Sequence, residues 1–232
     1  MGLFDTLFKL LTFRITREEM LKFEPKHLIL AIIGAWIVGM GRYWDDPGAS
    51  MLQHLGLGSV IYIFLLAAFI WIIVLPFKIA NWNYTTVLTF IGLTSLPAIF
   101  YAIPVEQFLS IGTANTVNVW FLAIVAAWRL GLLFFFLKRY TQLAFFYIIT
   151  ITLMPICVII AALTMLNLHR VVFNIMGGMR NPTPHDASYF VLMILTAFSM
   201  ILAIPLILTY IIGIVNRRND LKAEKEKKEE HV

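Results

Sequence analysis

Long runs without a charged side chain dominate this sequence, one of them from Ser188 to Val215. A helix needs about 20 apolar residues to cross about 30 Å of hydrocarbon. Reading the runs along the chain gives six candidate spans, at 25–44, 55–77, 85–105, 117–137, 143–166 and 188–215. The first is the shortest. Its apolar stretch lies between His27 and Arg42, and Lys26 and Arg42 would snorkel outward while Tyr43 and Trp44 sit at the interface.

Composition supports the same class. Of 232 residues, 60% are hydrophobic and 13% charged, against about 45–50% and about 25% in soluble domains. A chain of this size buries only about 70–75% of the surface it could expose, so a soluble core cannot hide this much apolar area. The runs show no strand-type alternation, and backbone groups in lipid must be satisfied within a segment, which favours helices. The expected fold is all-α: a polytopic transmembrane helical bundle of six spans with an amphipathic interfacial helix at its N-terminus. The chain divides into a cytoplasmic amphipathic segment at 1–24, a membrane domain at 25–215 and a charged cytoplasmic tail at 216–232. No signal-peptide pattern opens it.

Lys and Arg orient the spans. With both termini inside, 14 of the 18 basic residues fall on the cytoplasmic side and only Arg42, Arg170 and Arg180 outside; Arg129 lies within a span. An odd number of spans would put one basic terminus outside. The expected location is a bacterial inner membrane, crossed several times, with both ends cytoplasmic. The net charge of +5 resides in those ends and points to anionic membrane lipids as partners, with no nucleic acid.

Leu3, Phe4, Leu7, Phe8, Leu11 and Ile15 recur at helical spacing, as in a helix lying on the inner membrane surface. Thr16 followed by Glu19 is a capping-box signature for a second helix. The start, Gly2 with Thr6, also fits a myristoylation pattern, which six spans make unnecessary as an anchor. Residues 168–179 read as a further interfacial helix ended by glycines.

Arg129 is the one charge within a span. Insertion scales assign such a cation a cost of about 2.5–3.5 kcal/mol, so it needs a partner. It snorkels inward, or bonds backbone carbonyls of neighbouring helices, or it binds a substrate, ion or headgroup. Pro97, Pro155 and Pro205 lie within spans, where each removes a donor and kinks its helix. Small residues recur every four positions in two spans, at Ala31, Ala35 and Gly39 and at Ala123, Ala127 and Gly131. Such stripes let helices approach closely and are expected to be packing seams, with each other as one candidate partner.

The outer loops hold Asp45, Asp46, His54, His185 and Asp186, a polar set whose spacing fits no zinc signature. Asp45 to Gly48 reads more simply as a turn. There is no nucleophile elbow, metalloprotease helix, phosphate-binding loop or dinucleotide fingerprint, so no cofactor and no catalysis are expected. The single cysteine, Cys157, sits mid-span, where a thiol usually serves packing.

Two stretches, GMGRYWDDP at Gly39–Pro47 and NIMGGMRNPTPHDASY at Asn174–Tyr189, together with the span pattern, resemble an uncharacterised family of bacterial multispan inner-membrane proteins. Thr94-Ser95-Leu96-Pro97 and the helices around it are similar to the Yip-domain superfamily, small multispan proteins that in eukaryotes engage small GTPases through a cytoplasmic N-terminal region. The resemblance implies architecture only, because this N-terminal segment is too short for a soluble binding arm. The expected function is therefore non-catalytic: a scaffold or accessory subunit, self-associating or joined to a membrane complex. The alternative is a small transporter, channel or lipid-binding protein that uses Arg129 and the proline-kinked helices.

Overall fold

The computed structural model describes residues 2–45, 48–177 and 187–229. Among them there is no strand. The helices are α1 (Leu3–Leu11), α2 (Arg17–Leu21), α3 (Pro25–Tyr43), α4 (Met51–His54), α5 (Leu57–Val74), α6 (Tyr84–Leu93), α7 (Ile111–Thr141), α8 (Phe145–Met165), α9 (His169–Gly177) and α10 (Ala187–Glu229), with 3-10 turns at Leu75–Phe77, Leu96–Ala102 and Val105–Gln107.

Five stretches are long and apolar enough to cross a membrane: Leu57–Phe77, Tyr84–Gln107, Ile111–Thr141, Phe145–Met165 and Tyr189–Ala223. They coincide with the second to sixth runs of the sequence. The first run forms α3, a helix of 19 residues, but it is not among the five. Lys26, His27 and Arg42 dilute its apolar stretch at both ends.

Local chemistry sets the boundaries. The Thr16 hydroxyl accepts from the Glu19 amide at 3.3 Å while the Glu19 carboxylate accepts from the Thr16 amide at 2.9 Å, so the capping box opens α2. Pro25 starts α3, where its missing N–H costs nothing. Asn83 caps α6 by accepting from the Thr86 amide at 2.8 Å. The chain enters α5 at Gly56 with φ +67°, and a Cβ there would lie 2.6 Å from the Trp36 carbonyl, so only glycine fits the turn.

The three prolines act differently. Pro155 and Pro205 lie inside continuous helices, α8 and α10. Before Pro97 the α-helix stops at Leu93. There the hydroxyls turn back on the last carbonyls: Thr94 donates to Phe90 at 2.9 Å and Ser95 to Gly92 at 2.6 Å. The stretch Tyr84–Gln107 is thus a half-helix followed by 3-10 turns, with buried hydroxyls satisfying acceptors that the break leaves behind.

That half-helix, α6, is the centre of the bundle, and every residue from Thr86 to Leu93 is buried. α3 and α5 pack on it, and Phe90 stacks on Phe136 of α7 at 4.1 Å between ring centroids. α8 and α10 run along each other, with Cys157, Ala161 and Ala203 in their seam.

Side-chain bonds to backbone carbonyls define two ends. At one, Arg17 donates to the Tyr140 carbonyl (3.1 Å), Arg139 to Ile15 (3.2 Å), the Tyr140 hydroxyl to Asn81 (2.7 Å) and Arg217 to Phe77 (3.3 Å). The N-terminal segment, the 78–84 and 138–142 connections and the base of α10 therefore meet. At the other end Trp44 donates to the Ala102 carbonyl (2.9 Å), Trp36 to Leu55 (2.7 Å) and Arg170 to the Tyr189 hydroxyl (3.0 Å).

The N-terminal segment packs against the bundle with one face. Thr6 and Leu10 of α1, then Ile15 and Met20, are fully buried, and Trp128 of α7 donates to the Leu11 carbonyl at 3.0 Å. Phe4 and Phe8 point outward at 80% and 60% exposure. The apolar residues at helical spacing thus serve two faces, one on the protein and one outside it.

Candidate functional site

Arg129 projects from the middle of α7. Cα–Cβ bonds of a helix tilt toward its N-terminus, and α7 starts at the end that holds Trp44 and Ala102. The Arg129 guanidinium lies over the ring of Tyr62 on α5, 5.8 Å from the centroid, so Arg129 meets an aromatic ring of a neighbouring helix. Among the described residues it has no hydrogen-bond acceptor, and no carboxylate lies within ion-pair distance. The ion pairs there, Lys9 with Asp5 and Glu19 and Lys26 with Glu24, all belong to the N-terminal end.

A second guanidinium also meets aromatic rings. Arg42, in the last turn of α3, lies over Tyr43 at 5.3 Å and over Tyr101 at 5.2 Å. It donates to the carbonyls of Ile175, at 2.8 Å, and Met176 in α9. Helix C-terminal carbonyls carry partial negative charge, so this contact is favourable. Tyr101 lies in the 3-10 turn after the α6 break, so Arg42 ties the end of α3 to that turn. Glu106, which follows that turn, is engaged by the Asn118 amide at 2.8 Å.

The polar outer cluster is only partly within view. Asp45 is half-buried just past α3, and His54 is exposed on α4. Asp46, His185 and Asp186 lie outside the described residues. Among the described residues no three His, Cys, Asp or Glu side chains come together to hold a metal.

The two small-residue stripes have different fates. Ala31, Ala35 and Gly39 are buried in the seams of α3 with α6 and α5. A Cβ on Gly92 would lie 2.7 Å from the Ala31 Cβ, and one on Gly39 would lie 2.6 Å from the Ser59 hydroxyl. Ala123 and Ala127 are exposed on the outer face of α7, while Gly131 borders the Phe13 ring. The stripes do not meet each other. The partner of the first is glycine on α6, because Gly92 lets that central half-helix come closest.

Sequence reading missed Tyr62 as a contact of Arg129 and Tyr101 as a contact of Arg42. The available signal was a phenol within each of two otherwise apolar runs. Compared with protein-family models, with curated proteins and with solved structures, the chain matches none.

Proposed function

We propose that this chain is a non-catalytic, six-crossing membrane protein that acts as a scaffold or accessory subunit of a membrane complex. The observation that carries the reading is the outward face of α7, where Ala123 and Ala127 are exposed. A helix face that meets only lipid has no use for side chains this small, whereas a second helix can seat closely against them. The occupant in this reading is another copy of the chain or a partner subunit.

In this reading α3 is the sixth crossing. Its first turn lies with the N-terminal segment through Thr6 and His27, and its last turn lies with Ala102 and α9 through Trp44 and Arg42. Nineteen residues at about 1.5 Å each give about 28 Å, close to a bilayer's hydrocarbon. Six crossings return both basic ends to one side, the cytoplasmic side of an inner membrane by the charge rule, with Phe4 and Phe8 dipping into the interface. A Yip-like architecture accompanies this proposal through the Thr94-Ser95-Leu96-Pro97 break.

The test is crosslinking in membranes. In a C157S background, A127C should form a disulfide-linked species, and A127L should weaken association in detergent. Monomer in both, with the fold retained, would overturn the scaffold reading.

A second reading, a lipid-binding protein or small transporter, is favoured by one observation: Arg129 faces aromatic rings without an acceptor among the described residues. Loss of flux or of bound lipid in R129A, with the fold kept, would support it.

A further inference from the structure

We propose that the N-terminal segment is a re-entrant hairpin whose partner is the acyl layer of the leaflet at the basic end of the bundle. α1 descends into that layer, the chain turns at Thr12 and Phe13, and it comes back out at Arg17. The proposal rests on the reading that α7 crosses the membrane, and it goes beyond a helix held at the interface.

The argument begins with level. α7 serves as a ruler, because residues 130–137 carry no charge and Lys138 and Arg139 follow them. The segment meets α7 in order along that ruler. Trp128 donates to the Leu11 carbonyl at 3.0 Å. The Phe13 ring stands edge-on to Phe135 at 5.6 Å between centroids and borders Gly131. Arg139 then donates to the Ile15 carbonyl at 3.2 Å, and Arg17 to the Tyr140 carbonyl at 3.1 Å. Gly131 precedes Lys138 by seven residues, so the Phe13 ring lies about 10 Å from the level of the basic pair at about 1.5 Å per residue. The way in is marked as well: Thr6 of α1 meets His27 in the first turn of α3, which starts at the basic end.

Hydrogen bonding supplies the second argument. Irregular backbone at membrane depth survives only where protein satisfies its polar groups. At the turn Phe13 takes φ +61°. The Thr12 hydroxyl donates to the Phe8 carbonyl at 2.7 Å, and the amides of Arg14 and Ile15 both donate to the Lys9 carbonyl, at 2.7 and 3.1 Å. An indole and a guanidinium from α7 serve the Leu11 and Ile15 carbonyls. A turn bathed in water has solvent for those acceptors and gains little from donors brought from another helix.

The side chains divide accordingly. Leu10, Ile15 and Met20 are fully buried, whereas Phe8 and Phe13 are exposed. Exposed aromatic rings at that depth meet hydrocarbon. The Lys9 ammonium lies 3.0 Å from Asp5 and 2.9 Å from Glu19, so it ties the descending arm to α2 on the returning side. Arg14, exposed just past the turn, has the stem to snorkel toward the headgroups.

The test measures depth in the full chain. Single cysteines replace Phe4, Phe8, Phe13, Lys138 and Leu65, an exposed residue midway along Leu57–Phe77, in a C157S background. Each is spin-labelled and reconstituted in vesicles of phosphatidylcholine and phosphatidylglycerol. Power saturation with oxygen, which concentrates in hydrocarbon, and with a water-soluble nickel chelate reads the depth of each label. The hairpin predicts a gradient, with F4C shallowest, F8C deeper and F13C about 10 Å beyond K138C, the span of the seven-residue offset on α7. If F13C does not fold, F8C against F4C decides by the same gradient. F4C, F8C and F13C all at the level of K138C, with L65C deep, would overturn the hairpin and leave a helix lying on the surface. L65C no deeper than K138C would overturn the membrane-crossing reading itself.

Discussion

The Thr6 hydroxyl and Nε2 of His27 lie 3.2 Å apart in the buried joint between α1 and α3. The other ring nitrogen, Nδ1, accepts from the Glu24 backbone amide at 3.0 Å, so the ring's single proton sits on Nε2 and is donated to Thr6. Thr6 in turn donates to the Gly2 carbonyl at 2.9 Å. One chain of hydrogen bonds therefore fixes the tautomer, opens α3 and seats α1.

Replacing Thr6 by Val should leave the buried Nε2–H without an acceptor. The expected loss is about 1–3 kcal/mol, the cost of a stranded buried donor. T6S keeps the hydroxyl and should lose much less. Thermal unfolding of T6V and T6S in the same detergent checks this, and equal midpoints would mean that the joint is held by packing alone.

Gly92 and Ala31 make a second close contact. G92A should cost about 1–3 kcal/mol, because both Cβ atoms are tied to helix backbones and one must yield. G58A is the matched control, since a Cβ there meets nothing within 4 Å. The double variant A31G/G92A moves the methyl across the seam and should recover much of the loss. Denaturation midpoints of the four proteins measure it.

Those two contacts show what the sequence disclosed. Five helices long and apolar enough to cross a membrane were legible because their runs carry almost no charge over about 20 residues. The break at Pro97 was legible as a kink, although the roles of Thr94 and Ser95 depend on which carbonyls lie within reach. The docking of α1 was not legible, because an apolar stripe looks the same whether it faces lipid or α7. The stripes at Ala31 and Ala123 share one spacing and differ only in what stands opposite. The contact of Arg129 with Tyr62 is a product of tertiary packing that neither run discloses.

Acid should loosen the N-terminal clasp. The Lys9 ammonium, with the Thr16 amide, holds the Glu19 carboxyl below the usual carboxylate range. A carboxyl depressed in the folded state contributes stability above its unfolded value and loses it as pH falls through the folded one. The partner works the other way: hydrogen bonds to Glu19 and Asp5 raise the Lys9 ammonium, whose contribution disappears only as pH climbs through that raised value. Protease cleavage between α1 and α2 should therefore quicken below about pH 4 and change little from there to about pH 10. E19Q should cleave faster at neutral pH and lose most of the acid response.

The most direct test of the account asks whether α3 crosses the membrane. Single cysteines are placed in a C157S background at Lys22, before α3, at Ser50, after it, and at Ala223 near the end of α10. Intact cells are treated with an impermeant thiol reagent, then permeabilised. Six crossings predict that S50C is labelled from outside, whereas K22C and A223C react only after permeabilisation. Labelling of S50C and K22C from the same side would contradict the account, and with it the placement of both chain ends in the cytoplasm.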